Sequence, residues 1–341
     1  MIAAPPQPLF WIIGEGGLLG SRVSMAIKSQ ALTAACWKGS GEKLSWGNPH
    51  HVSEQLHRAA RDFAAAVRER GGGWGVIWTA GAGVVGTTED LLAAETVTWE
   101  TVLGVVDRYL VSPQLGPGLV FLSSSAGGVY GNCPDQVITE QSQCSPISAY
   151  GRNKLRQESV LNVWADTHPE IVCRIGRLSN IYGPGQNLAK AQGLISHISR
   201  SLIWQVPIHL YVPLDTIRDY IYVDDCAHHI ARSVTAWLHD ARHGAHPTTG
   251  RIKIFAAGEP TTIAQIVSEF TRLSIRRHPR VICAPSTLGL QQPRRLQFRS
   301  IAEPALGLLP RTTLQVGVSR VHSYQLGLYH RGQLRPPLGK S

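Results

Sequence analysis

Leu9-Phe-Trp-Ile-Ile13-Gly14-Glu15-Gly16-Gly17-Leu18-Leu19-Gly20 is the stretch on which the fold turns. Five apolar residues run into glycines, and an apolar periodicity continues from Leu18 to Ile27. That order reads as strand, tight turn and helix. Gly14 permits the turn, Gly17 lets the backbone approach a pyrophosphate, and Gly20 lets the helix pack close to the sheet. A glycine-rich loop in this place predicts dinucleotide binding, with Gly14, Gly17, Leu18, Leu19 and Gly20 in contact with the cofactor. Glu15 is discordant, because a carboxylate beside a pyrophosphate is unfavourable unless it turns to solvent.

Downstream the same alternation repeats. Ala31 to Trp37 is a second short strand candidate. His51 to Arg70 carries Val52, Leu56, Ala59, Ala60, Phe63 and Val67 at three- and four-residue steps, and Gly71 to Gly73 stop it, which predicts a helix. Gly75 to Thr79, Gly118 to Ser123 and Ile171 to Ile175 read as buried strands. Glu89 to Leu110 and Tyr150 to Thr167 read as helices. Strands alternating with helices of this length imply a parallel sheet covered on both faces. The fold class is therefore α/β, a Rossmann-type doubly wound parallel sheet with a smaller C-terminal substrate-binding region. Residues 1–182 form the dinucleotide-binding domain, part of 213–250 returns to it, 183–330 mainly bind substrate, and 331–341 form a disordered tail.

The bulk numbers agree with a globular protein. The chain has 341 residues, 43% hydrophobic and only 16% charged, which suits one large domain or two packed ones. Its net charge of +10 is concentrated near the end, where residues 251–341 hold 14 Lys and Arg against 3 acids. Three readings apply to that asymmetry: a solvated basic face, a site for a doubly charged phosphate ligand, or nucleic acid. The basic residues alternate with apolar ones and no nucleic-acid motif appears, so nucleic acid is the weakest. The six cysteines form no C-x-x-C pair and have no zinc spacing with His, so no metal is expected. No signal peptide and no apolar run of membrane length is present, and the expected location is the cytoplasm.

Two further stretches carry chemistry. Tyr150-Gly-Arg-Asn-Lys154 places a phenol and an ammonium on one helix face. A neighbouring ammonium favours a phenolate and makes a phenol a better base. An ordinary exposed Tyr/Lys pair is the bland alternative. Leu122-Ser-Ser-Ser-Ala-Gly-Gly-Val-Tyr-Gly131 ends a buried strand, where open parallel sheets bind ligands. A plain polar loop is the alternative there.

Their order, glycine turn, serine cluster and Tyr-x-x-x-Lys, resembles the short-chain dehydrogenase/reductase superfamily. Arg177-Leu-Ser-Asn180-Ile-Tyr182-Gly183-Pro184 and Arg218-Asp219-Tyr-Ile-Tyr222-Val-Asp224-Asp225-Cys-Ala227 narrow it. Together with Ala257-Gly-Glu-Pro-Thr261 they resemble the NAD-dependent epimerase/dehydratase family of the extended subgroup, with UDP-glucose 4-epimerases as its best known members. The resemblance covers roughly residues 9 to 330. It implies Tyr150 as general base, Lys154 as the partner that tunes it, and Ser125 as the hydroxyl on the reacting oxygen. Ser124 is the nearest substitute, because this loop is one residue longer than the common form. It implies Asn180 and Arg218 on the diphosphate of a nucleotide sugar, with Arg295 or Arg294 as a second clamp. Asp224 is read as a brace of the fold. Tyr150, Lys154, Ala80 and Gly81 join the cofactor contacts, and a homodimer through the Glu89 to Leu110 and Tyr150 to Thr167 helices is expected.

Four departures qualify the resemblance. Cys36-Trp-Lys38-Gly-Ser40 has no acid for a ribose 2′-hydroxyl, and Lys38 and Ser40 suit a 2′-phosphate, so NAD and NADP both stay open. Thr79-Ala80-Gly81-Ala82-Gly83 replaces the usual loop, Thr101 stands where many relatives have Asn, and the serine loop lacks the Asp-Glu pair of dehydratases. The expectation is a nucleotide-sugar 4-epimerase with bound NAD. A keto-sugar reductase of the same family and a non-catalytic dinucleotide-binding protein are the rivals, the latter weakened because a sensor has no use for Ser125, Tyr150 and Lys154.

Overall fold

Strand β1 (Leu9–Ile13) shows why the sheet is covered on both sides. Leu9, Trp11 and Ile13 enter one hydrophobic core, while Phe10 and Ile12 enter another on the opposite face. A strand buried on both faces has no polar alternation, hence the continuous apolar run. The computed structural model describes residues 6–30, 33–39, 42–190, 192–244, 250–273, 279–283, 292–302 and 311–337.

The first half alternates α1 (Leu18–Ser29), β2 (Ala35–Cys36), α2 (Pro49–Arg70), β3 (Trp74–Trp78), α3 (Glu89–Tyr109), β4 (Gly118–Ser125), a short α4 (Ala126–Val129), α5 (Ala149–Thr167) and β5 (Ile171–Leu178). Asn48 caps α2 by accepting from the His51 amide, and glycines 71–73, all at positive φ, end it. The chain continues with β6 (Asn180–Tyr182), α6 (Leu194–Trp204), β7 (Ile208–Leu210), β8 (Ile217–Tyr222), α7 (Val223–Arg242), β9 (Ile252–Phe255), β10 (Pro260–Thr262), α8 (Ile263–Leu273), β11 (Val281–Cys283) and α9 (Leu314–His330).

Six strands form one parallel sheet in the order β2-β1-β3-β4-β5-β9. Side chains of α2, α3 and α5 pack on one face, and those of α1 and α7 on the other. The segment returning to this domain after residue 213 therefore extends through β9, to Phe255. The chain leaves β1 toward β2 and then crosses back to place β3 on β1's other side. Strand order reverses there, and the crevice beyond those strand ends is where such sheets take ligands.

A smaller lobe holds β8 between β10 and β6, plus the β11-β7 pair. Its core joins Ile195, Ile198 and Leu202 of α6, Ile266 and Phe270 of α8, and Val318 and Val321 of α9. Asp224 ion-pairs with Arg22 of α1 at 3.4 Å, and Asp225 accepts from the Thr312 amide and hydroxyl, so the start of α7 ties the lobe to the sheet. The expected disordered tail needs correcting in part: Arg331 to Pro337 are described and Leu334 is buried, while residues 338–341 lie outside the described residues. Among the described residues no helix is long and apolar enough to cross a membrane, and no cluster of His, Cys, Asp and Glu could hold a metal ion.

Candidate active site

The glycine loop leads directly into α1. Gly14 sits at φ +100°, and a Cβ on Gly20 would lie 2.3 Å from the Gly14 carbonyl and 2.6 Å from the Thr79 hydroxyl. Only glycine lets the helix approach its own turn and the end of β3 this closely. At the N-cap, Gly17 offers no side chain, and the first turn has no acid. The free amides and the positive end of the helix dipole therefore remain available to an anion. These features fit a dinucleotide pyrophosphate. Glu15 turns away from them: it accepts from Ser24 and ion-pairs with Lys28 at 3.3 Å.

On the opposite wall, β4 delivers three serines with different fates. Ser123 donates to the Trp78 carbonyl. Ser124 is buried and donates to Glu158 of α5. Ser125 caps α4 by accepting from the Gly128 amide at 3.1 Å, and its hydroxyl stays half-exposed at the strand end. A Cβ on Gly128 would lie 3.1 Å from the Tyr150 ring and 3.3 Å from Ser125 Oγ, so both side chains converge on that glycine. Tyr150 stands in the first turn of α5, which Ser148 caps through the Gly151 amide. Lys154, one turn on, is buried with Nζ 5.8 Å from the Tyr150 ring centroid.

Lys154 is not free. It donates to Glu95 of α3 at 2.8 Å and to Gln157 at 2.9 Å. The other Glu95 oxygen accepts from the Ala82 and Gly83 amides, each at 3.2 Å. Burial pulls the Lys154 ammonium down, but the Glu95 carboxylate together with Tyr150 and Glu158 outweighs it and the net direction is up. Burial likewise pushes the Glu95 carboxyl up, and Lys154, Gln157 and the Gly83 amide outweigh it and hold it low. Thr101, the α3 position compared with Asn in relatives, instead bonds the Val97 carbonyl and does not reach the site. Glu95 had a readable signal, because it falls on the stripe of Leu92, Trp99 and Val102 that α3 buries.

Behind α5 lies a second charged group. Glu158 takes Arg177 Nη2 at 2.6 Å and Arg177 Nε at 3.1 Å, and Arg177 Nη1 donates to the Tyr130 hydroxyl. Burial pushes Tyr130 up to about 12 against the opposing pull of Arg177. Tyr130 is thus a fixed acceptor rather than a base.

The remaining predicted residues spread along the crevice. Ala80 and Gly81 lie in the loop after β3, which Lys190 reaches by donating to the Gly81 carbonyl at 3.1 Å. Lys38 is exposed two residues past the end of β2, and Ser40 lies outside the described residues. Asn180 opens β6 and donates to the Asp219 carbonyl at 2.9 Å. Arg218 of β8 is 7% exposed and has no carboxylate partner among the described residues. It donates to its neighbour's carbonyl, that of Ile217, at 2.8 Å, and burial pulls its guanidinium down. The chain around Arg295 runs beside β8 through the Ile217 pairing, with Arg295 bonded to Gln297 and Arg294 paired with Asp215.

The model of the NAD dependent epimerase/dehydratase family matches residues 10–242. The chain belongs to that family. Its members are epimerases, dehydratases and reductases. Over 112 residues the chain is 33% identical to a dTDP-L-rhamnose 4-epimerase of Burkholderia thailandensis, covering 33% of this chain and 27% of that protein. Over 148 residues it is 27% identical to a dTDP-4-dehydro-6-deoxyglucose reductase of Escherichia coli, covering 43% of each. The matches span less than half the length of either curated relative. A Thermus thermophilus UDP-glucose 4-epimerase, solved in complex with NAD, superposes with a TM-score of 0.69 at 20% identity, covering 93% of this chain and 98% of that one. At that identity the likeness is one of fold.

Proposed function

We propose that this family member is a nucleotide-sugar 4-epimerase working with bound NAD. The observation that carries the reading is the convergence of Ser125 and Tyr150 on Gly128, over Lys154, at the strand ends that face the uncapped α1. Proton transfer needs a base within reach of the reacting hydroxyl, and Tyr150 stands at the mouth of the crevice. Gly14, Gly17, Leu18, Leu19 and Gly20 hold the cofactor's pyrophosphate, and Ala80, Gly81 and Lys154 its nicotinamide half. When bound, the dinucleotide supplies the acceptor for the C4 hydride and returns the same hydride.

Tyr150 takes the proton of the sugar 4-hydroxyl as the 4-keto sugar forms, and gives it back once the keto sugar has turned. Ser125 donates to the reacting oxygen and holds it during both transfers. Arg218 and Asn180 anchor the diphosphate, with Arg295 beside them, so the sugar turns while its handle stays fixed. Ser124 takes no part, since its proton is committed to Glu158. The dehydratase branch is disfavoured because no Asp-Glu pair follows the serines. Exposed Leu91 and Val97 on α3 and Val163 on α5 support a homodimer through these helices.

A reductase is the second reading, favoured by the missing acid at the end of β2 and by Lys38 there. The test is the dinucleotide released when the purified protein is denatured. Near-stoichiometric oxidised NAD is the expected result, because a cofactor recycled in place need not leave. A protein that arrives empty and consumes NADPH with a keto sugar is the reductase instead, and one that binds neither cofactor is neither enzyme.

A further inference from the structure

Glu95 is absent from every motif that identifies the family, yet it accepts four hydrogen bonds in the site. Its side chain is 10% exposed. One oxygen accepts from Lys154 and, at 3.1 Å, from Gln157; the other accepts from Ala82 and Gly83. A Cβ on Gly81 would lie 3.1 Å from this carboxylate, so the loop after β3 is moulded around it. Glu95 thereby joins the loop under the cofactor to the lysine beside the base.

The charges matter more than the contacts. An unpaired ammonium next to a phenol stabilises the phenolate. Lys154 carries a carboxylate 2.8 Å from its nitrogen, which offsets part of the field the ammonium exerts on Tyr150. The surrounding groups do not restore it. Glu158 on α5 is neutralised by Arg177 of β5, Arg152 pairs with Glu89 at 3.4 Å on the exposed side, and Lys190 is spread over the Gly81 carbonyl in solvent.

We propose that Glu95 is a positioning residue that fixes Lys154 and offsets part of its charge, so that Tyr150 gains its proton-accepting form at a higher pH than a lone lysine would give. The proposal rests on the assignment of Tyr150 as the base, but its physical content is measurable in the cofactor-free protein.

The experiment follows the ionisation of Tyr150 by NMR of ring-labelled tyrosine in the full chain, the resonance being assigned by its loss in Tyr150→Phe. Glu95→Gln keeps the acceptor oxygen and removes the charge. The expected midpoint in Glu95→Gln lies roughly one to two pH units below wild type, the size expected for removing one unit charge from the same site at intermediate dielectric. Glu95→Asp restores the charge and moves it back toward wild type. If Glu95→Gln does not fold because Lys154 is left buried and unpaired, the comparison becomes Lys154→Met against Glu95→Gln/Lys154→Met. The double variant must then titrate lower than the single one. A midpoint that does not move in either comparison overturns the proposal. Failure of the epimerase reading shows separately, as loss of the bound dinucleotide or of Tyr150-dependent turnover.

Discussion

At the scale of single residues, what distinguishes this site is where each hydroxyl spends its proton. Ser123 and Ser124 spend theirs on Trp78 and Glu158, and Tyr130 sits on Arg177, whereas Ser125 and Tyr150 converge on Gly128. Tyr150→Phe should therefore lower turnover by about 10²- to 10⁴-fold, the usual worth of a general acid–base group. Dinucleotide affinity, read by calorimetry, should stay within about twofold, because the ring and Lys154 remain; substantial residual turnover would remove Tyr150 from its role. Gly20→Ala tests the cofactor loop in the opposite way. The new methyl meets a backbone carbonyl, which cannot swing aside, and the strain should cost about 1–3 kcal/mol in urea unfolding and abolish dinucleotide retention. The motif residues of the site were legible in the sequence because family spacing marks them. Glu95 could be read only as a carboxylate on the buried stripe of its helix, and Glu158 not at all, because nothing local reveals that Lys154 and Arg177 arrive from elsewhere to receive them.

At the scale of elements, the first five strands of the large sheet could be read directly, since burial leaves apolar runs bounded by glycines, whereas β9, the sixth, was not read as a strand. Ends shifted by a few residues: β5 runs to Leu178 and β4 to Ser125, because each pairs with the other across that length. The smaller lobe resisted reading for a topological reason. Strand β6 has three residues, and its partner β8 begins 37 residues later, so neither carries a local signal of the pairing. The short α4 was also unforeseen; Ser125 starts it by accepting from the Gly128 amide, so the hydroxyl proposed to hold the reacting oxygen is also the helix cap. The buried Glu158–Arg177 pair is what clamps α5 against β4 and β5, with both side chains only 4% exposed. Arg177→Met leaves that carboxylate unpaired and should cost about 3–5 kcal/mol in unfolding free energy. Adding Glu158→Leu should recover most of the loss, since an apolar pair replaces a buried ionic one at little cost. If the double variant were no more stable than the single, the clamp would owe its strength to something besides charge.

At the scale of the whole molecule, the chain carries its excess positive charge in the part that builds the smaller lobe, while the sheet domain is close to neutral. Most of those cations are exposed, and a surface cation adds solubility and little else. Arg218 differs. It is buried on β8, where its neighbour Asp219 accepts from the Ala257 and Gly258 amides and so fixes the strand to the chain beyond β9. A buried guanidinium facing no carboxylate is unfavourable in the ligand-free protein. The arrangement is sensible if a dianionic diphosphate completes it, with the molecule giving up stability at rest to bind tightly when loaded. Arg218→Met separates the two effects. The ligand-free variant should be more stable than wild type by about 1–2 kcal/mol, because an uncompensated charge has left the interior. Its affinity for UDP should fall by roughly tenfold to a hundredfold, the loss of a charge-assisted bond, and the salt dependence of binding should flatten with it. Stability that falls while UDP binding is unchanged would mean that Arg218 is a structural residue, and that the diphosphate is held elsewhere along the crevice.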